Sequence, residues 1–351
     1  MKKDKYVAYV GTYTHGTSVG IHIYDLDVEQ GYMKERKVVP INNPSHLTVS
    51  ANGKYLYSIA DEGVESFRIL PDGDLEYMNR QPIGGMRGCY VDVDSENRAL
   101  FVAGYHDGRV SMMPLNEDGS IGEVSAGIFH KGMGRSVVVR SSRPHVNCVQ
   151  ITPVREKYIC AVDGGLDQVK VYRLDYEKKE FKLADIIRAQ LDSAPRLIQF
   201  SKNGKFAYLL CELRNCVDVY SYECSDDGPR FEYLQSVPTM KDTRIENGSA
   251  SGMEISMDGR YMFCSNAGAN SVTIFEIDQT TGELKAVCSS NISGDYPKTI
   301  GIFPDGRHFV SLNHDTNNIT LFEMNYEKKC FLMKGKPIKI DTPNCIYIHK
   351  I

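Results

Sequence analysis

The 351-residue sequence has no tryptophan, and nowhere does it approach the run of about 18 apolar residues that a membrane-spanning helix requires. It lacks an excess of either charge: 41 Lys and Arg face 45 Asp and Glu, a formal net charge of −4. A strongly basic footprint for nucleic acid is therefore missing. There is no Cys-x-x-Cys. The neighbouring Cys211 and Cys216 have no His pair to complete a zinc site, so no metal and no cofactor are expected. No Ser or Cys sits in a nucleophile-elbow context, which disfavours acyl-enzyme chemistry. Gly84-Gly85 and Gly132-Met133-Gly134 lack the strand-to-helix setting of a nucleotide loop. The charged start, Met1 to Lys5, passes directly into an alternating pattern with no signal-type apolar core between them. Ten cysteines, most of them inside strand patterns (Cys89, Cys148, Cys160, Cys211, Cys264, Cys345), then read as reduced thiols of a cytoplasmic protein. The Asn-x-Ser/Thr triplets at Asn247, Asn291 and Asn318 matter only in a secreted chain.

What the sequence does contain is repetition. A short apolar segment running into a polar turn recurs at 47–50 before Asn52-Gly53, 91–94 before Asn97, and 149–152 before Glu156-Lys157. It recurs again at 198–201 before Asn203-Gly204, 253–256 before Asp258-Gly259, and 300–303 before Asp305-Gly306. The turns lie about 44 to 59 residues apart, the period of a four-stranded propeller blade. A second element, alternating apolar and polar, appears seven times, at 21–26, 64–69, 110–115, 169–174, 217–222, 272–277 and 319–324. Several copies end in turns with a glycine, such as Asn116-Glu117-Asp118-Gly119. Helical periodicity is absent throughout.

The first strand of the unit has six internal copies and a seventh at 346–348, while the N-terminus opens partway through a unit. Pairing the two ends in one blade closes the ring and removes an exposed sheet edge. The expectation is an all-β chain, a seven-bladed β-propeller forming one domain over residues 1–351. A closed ring has no edge that demands a partner, so a monomer is expected, with no membrane association.

Aligned copies tell which residues share a face. Two residues before the first core position of each innermost strand stand Ser45, Cys89, Asn147, Arg196, Ser251, Lys298 and Asn344, which should ring one mouth of the channel. Loops between the second and third strands add His106, Asp163, Glu212 and His314 on the same face. Two long connections also arrive there. Residues 127–146 bring Lys131, Arg135, Arg140, Arg143 and His145, and residues 238–251 bring Lys241, Arg244 and Glu246. Long loops on a scaffold of short turns are favoured carriers of function. Arg196, Lys298, Arg143 and His145 would attract a phosphate or a carboxylate.

Tyr9-Val10-Gly11-Thr12-Tyr13-Thr14, Arg143-Pro144-His145, Val162-Asp163-Gly164-Gly165-Leu166-Asp167 and Ala194-Pro195-Arg196 resemble the lactonase-type propellers over essentially the whole chain. That family includes enzymes that open 6-phosphogluconolactone and is related to a fungal carboxymuconate-lactonising enzyme. The resemblance implies hydrolysis of a small anionic sugar lactone, foremost 6-phosphogluconolactone in the pentose phosphate pathway. A carboxylate lactone, or a non-catalytic propeller that binds a small anion or a protein partner, is the alternative.

Lactone hydrolysis needs a base to activate water and a cation or donor to stabilise the tetrahedral oxyanion. Arg196 and Glu212 come from one blade, so topology brings them together as stabiliser and base, or as a structural ion pair. His145, one blade back, is a third catalytic candidate, or a loop histidine that caps backbone. Asn147, Lys298, Arg143, His106 and His314 are candidate substrate contacts. The family pattern reads Pro-His-x-His, Pro-Arg-His and Asn-Arg-Gly where this chain has His145-Val146-Asn147, Pro195-Arg196-Leu197 and Asn266-Ala267-Gly268. Two histidines and one arginine are thus replaced, at Asn147, Leu197 and Ala267.

Overall fold

The recurring turn has a local cause. Ser50 Oγ donates to Asn52 Oδ1 at 2.8 Å and accepts the Tyr55 amide at 3.0 Å, while the Gly53 amide closes on the Ser50 carbonyl at 2.8 Å. The same bonds form around Ser201 and Asn203 and around Ser256 and Asp258. Gly53, Gly204 and Gly259 sit at φ of 71°, 70° and 74°, a left-handed geometry that a side chain disfavours. In this way the Ser-x-Asn/Asp-Gly signature turns the innermost strand of a blade back into the second.

The computed structural model describes residues 4–134, 143–153, 157–240 and 249–351. These form seven four-stranded antiparallel sheets. Blade 1 is composite: Pro343–Lys350 is its innermost strand, followed outward by Tyr6–Thr12, Gly20–Asp27 and Tyr32–Pro40. Tyr6 pairs with Lys350 and Val10 with Ile346, so the two chain ends close the ring in the expected way. Blades 2 to 7 follow in sequence order, with innermost strands Leu47–Val49, Tyr90–Val93, Val146–Ile151, Pro195–Phe200, Ala250–Ile255 and Pro297–Ile302. The architecture is the all-β, seven-bladed propeller that the repeat predicts. No helix among the described residues is long and apolar enough to cross a membrane.

Burial follows strand order. In blade 5 every residue of the second strand, Phe206–Cys211, is buried, whereas the outermost strand, Gly228–Pro238, is largely exposed. Apolar clusters fill the seams between blades, for instance Leu197, Leu210 and Val217 of blade 5 against Ala250, Met253 and Cys264 of blade 6. A polar latch crosses several seams. Tyr9 Oη donates to the Gly73 carbonyl at 2.9 Å, Tyr57 to Gly119 at 3.1 Å and Tyr208 to Gly282 at 3.1 Å. Each bond runs from the second strand of one blade to the outer turn of the next. Burial raises the pKa of all three phenols well above the ordinary tyrosine range, so they remain donors.

Candidate active site

The seven residues that the strand alignment singles out all line the channel mouth, and five of their side chains stitch neighbouring blades together. Cys89 Sγ donates to the Val146 carbonyl at 3.3 Å and Asn147 Nδ2 to the Pro195 carbonyl at 3.3 Å. Arg196 Nε donates to the Ser251 carbonyl at 2.9 Å, and Ser251 Oγ to the Lys298 carbonyl at 2.9 Å. Asn344 Nδ2 donates to the Ser45 carbonyl. Five ring positions thus donate to the innermost strand region of the following blade, because a residue just ahead of one innermost strand faces the start of the next.

Inside this belt lies a cavity of about 410 Å³, lined by Arg87, His106, Asn147, Arg196, Glu212 and Lys298, among others. Arg196 Nη1 meets Glu212 Oε2 at 2.8 Å, and Ser249 Oγ donates to Glu212 Oε1 at 3.0 Å. Burial works against the Arg196 charge, but the Glu212 carboxylate outweighs it and holds the guanidinium above its ordinary range. Arg87 is ion-paired with Asp61 at 3.1 Å, donates to Ser45 Oγ at 2.8 Å and to the Asn43 carbonyl, and lies 5.4 Å from the Tyr13 ring centroid. Lys298 Nζ stands 5.6 Å from the Tyr296 ring centroid. Burial pushes the Cys89 thiol up to about 11 against the opposing pull of Arg196, Arg87 and Lys298. Three cations therefore converge around one point of a chain that is acidic overall.

Tyr13, Tyr105 and Tyr296 complete the wall. Deeper in, His46 stacks on Tyr90 at 3.8 Å and accepts the Val91 amide on Nδ1 at 3.2 Å. Burial pushes its pKa down to about 3, so it is a neutral wall residue. Glu254, on the innermost strand of blade 6, borders this cavity and two further ones that continue the channel. Enclosed by protein on the channel wall, its carboxyl is pushed up to about 7 by burial, against a smaller opposing effect of Lys202.

Of the expected residues, Arg196, Glu212, Asn147, Lys298 and His106 share the cavity lining, and His145, Arg143 and His314 do not. His145 is buried behind the wall. Its ring stacks on Tyr105 at 4.3 Å and its Nδ1 donates to the Tyr105 carbonyl at 2.8 Å. Asp163 fixes this loop: Oδ1 accepts the amides of His145, Gly165 and Leu166 at 2.9, 3.0 and 3.1 Å, and Oδ2 pairs with His130 at 2.7 Å. A Cβ on Gly165 would fall 1.7 Å from the Arg143 carbonyl oxygen and one on Gly164 2.5 Å from Asn147 Nδ2, so both positions of the Asp163-Gly164-Gly165 motif leave no room for a side chain. Arg143 itself is exposed. His314 packs edge-on against Tyr13 at 5.8 Å, and burial and then Lys298 lower its pKa. Arg135, Arg140, Lys241, Arg244 and Glu246 lie outside the described residues.

Sequence reasoning passed over Arg87 and Glu254. Arg87 sits two residues before the aligned ring position, on a short connection beside Gly88, outside both the aligned ring and the long loops. Glu254 lies three residues past Ser251, and a lone acid in an otherwise apolar strand (Met253 and Ile255 flank it) was the available signal.

Comparison with known proteins matches residues 7–348 to a family described as lactonase, 7-bladed beta-propeller. The chain belongs to this family. The 6-phosphogluconolactonase of Bacillus subtilis is 31% identical over 356 residues, covering 99% of both chains. Among solved lactonase-fold structures, the periplasmic gluconolactonase PpgL of Pseudomonas aeruginosa superposes with a TM-score of 0.91 at 26% identity, covering 98% of this chain and 99% of that one. A Bacteroides fragilis structure gives a TM-score of 0.88 at 30% identity, covering 98% of both.

Proposed function

We propose that this lactonase-family protein hydrolyses 6-phosphogluconolactone to 6-phosphogluconate at the mouth of its channel. The observation that carries the reading is the convergence of Arg87, Arg196 and Lys298 on a cavity in which Glu212 is ion-paired to Arg196. Arg87 and Lys298 hold the phosphate, and Arg196 stabilises the oxyanion that forms when water adds to the lactone carbonyl. Glu212, the carboxylate of the cavity wall beside Arg196, takes a proton from the attacking water. The same proton goes to the ring oxygen as the carbon–oxygen bond breaks. Asn147 and His106 contact the sugar. His145 acts through Tyr105, whose ring it backs. No metal or cofactor enters this scheme. The reading includes a monomer working in the cytoplasm.

Purified protein should accelerate decay of the lactone beyond its spontaneous rate, and Arg196→Ala should remove the excess. Absence of acceleration at high protein concentration would overturn the reading. A second reading is opening of a carboxylate lactone, because the three cations lining the cavity suit a carboxylate as well as a phosphate. It predicts turnover of dicarboxylate-derived lactones with phosphosugars inert.

A further inference from the structure

The hairpin that presents Glu212 to the mouth carries at its base a cluster that lactone hydrolysis does not use. Cys211 ends the second strand of blade 5, Cys216 begins the third, and the two are register partners across the hairpin. Asp218 follows two residues on, on the same face of the strand as Cys216. The two Sγ atoms and a carboxylate oxygen lie within 4.8 Å of one another. All three residues are buried, with exposures of 0%, 8% and 3%.

The partners of Asp218 are unusual for a buried carboxylate. It accepts from Cys211 Sγ at 3.7 Å and Cys216 Sγ at 3.8 Å, and among the described residues it has no ion pair. A thiol is a weak donor, and an acid withdrawn from water ordinarily requires a cation or strong donors. The spacing supplies the missing piece. A tetrahedral ion with metal–sulfur bonds of about 2.3 Å and metal–oxygen bonds of about 2.1 Å places sulfur and oxygen about 3.6 Å apart. Each sulfur already stands close to that distance from one oxygen of the carboxylate, Cys211 from Oδ2 and Cys216 from Oδ1.

We propose that Cys211, Cys216 and Asp218 form a binding site for a soft divalent cation of the zinc class. The incoming ion displaces one proton from each thiol, leaving two thiolates and a carboxylate around it, and both protons pass to solvent. Because the two cysteines bracket residues 212–215, the ion pins the segment that holds Glu212 against Arg196. The expectation of no metal rested on a missing His pair. The third donor is an aspartate that becomes adjacent only when strand pairing sets Cys216 opposite Cys211.

The test uses the full-length protein, reduced with a phosphine and stripped with a chelator, and titrated with Cd²⁺ as the probe. The expected result is an ultraviolet thiolate-to-metal band that saturates at one ion per chain, two protons released per ion, and a higher unfolding midpoint. Cys216→Ser and Asp218→Asn should each weaken binding at least tenfold, while Cys264→Ser, a buried thiol of blade 6, should leave it unchanged. Alkylation mapped by mass spectrometry on the unsubstituted chain avoids any folding defect of the variants: Cd²⁺ should protect Cys216 and not Cys330. No band at equimolar Cd²⁺, a band that survives Cys211→Ser/Cys216→Ser, or labelling of Cys216 unaffected by the ion would each overturn the proposal.

Discussion

The Arg196 guanidinium is held at two ends, by Glu212 Oε2 at 2.8 Å on Nη1 and by the Ser251 carbonyl at 2.9 Å on Nε. One anchor comes from its own blade and the other from the next, so the cation is fixed across a seam. Arg196→Lys should keep the charge and lose this fork, because an ammonium cannot span both acceptors. Under the lactonase reading, kcat should fall by about 10²- to 10³-fold in Arg196→Ala, the scale of a lost oxyanion partner. Arg196→Lys should retain little of it. A lysine variant with full kcat in the lactone assay would contradict the assignment.

Arg87 belongs to a different step. Anchored by Asp61 and by Ser45, it lines the cavity. Arg87→Ala should raise KM for a phosphorylated lactone by roughly 10- to 100-fold, the range of a hydrogen bond to a charged group, with a smaller change in kcat. An unphosphorylated lactone should show no such rise in KM, and steady-state kinetics on the two substrates separates the effects.

Ala267 marks the replaced family arginine. Its amide bonds the Ser249 carbonyl at 2.7 Å, and Ser249 in turn donates to Glu212. Ala267→Arg should therefore introduce a cation near the base. If the chain has moved away from the family's usual substrate, turnover of 6-phosphogluconolactone should rise in this variant. If Arg87 has taken over the role, turnover should stay level or fall. The lactone assay distinguishes the two outcomes.

Glu254 gives a pH signature in stability. Its folded-state pKa, about 7, lies above the ordinary 4.5, so the folded chain holds the proton more tightly than the unfolded chain does. Stability from this group is fully present below about pH 4.5 and is lost as pH rises through 7. Glu254→Gln should remove that slope and leave the protein more stable than the parent at pH 8, by on the order of 2 kcal/mol after allowance for its channel-facing position. Chemical denaturation of both proteins at pH 5 and pH 8 measures the difference.

The parts of this molecule that could be read from sequence are those governed by local period. The Ser-x-Asn/Asp-Gly turns and the alternating third strands recur because each blade solves the same local problem, so strand order, ring closure and the position of Arg196 followed from counting. Glu212 followed from topology, since the second-to-third-strand loop of blade 5 must reach the same mouth. Arg87, Glu254 and the Asp218 cluster could not be reached that way. Arg87 departs from the aligned register, Glu254 matters for its depth in the channel, and Asp218 gains its meaning only from cross-strand neighbours. His145 was drawn to the mouth by its motif, and the Asp163 amide cradle instead turns its ring behind Tyr105.

The ring of side chains that tie each blade to the next has an evolutionary corollary. Asn147, Arg196 and Ser251 at once line the cavity and form the seams of the disc. A change of specificity at those positions must also survive as a change of architecture. Positions such as His106, exposed on a loop and hydrogen-bonded to no seam among the described residues, are released from that double duty. New substrates in this lineage should arise first through the loops, with the inner ring inherited nearly intact.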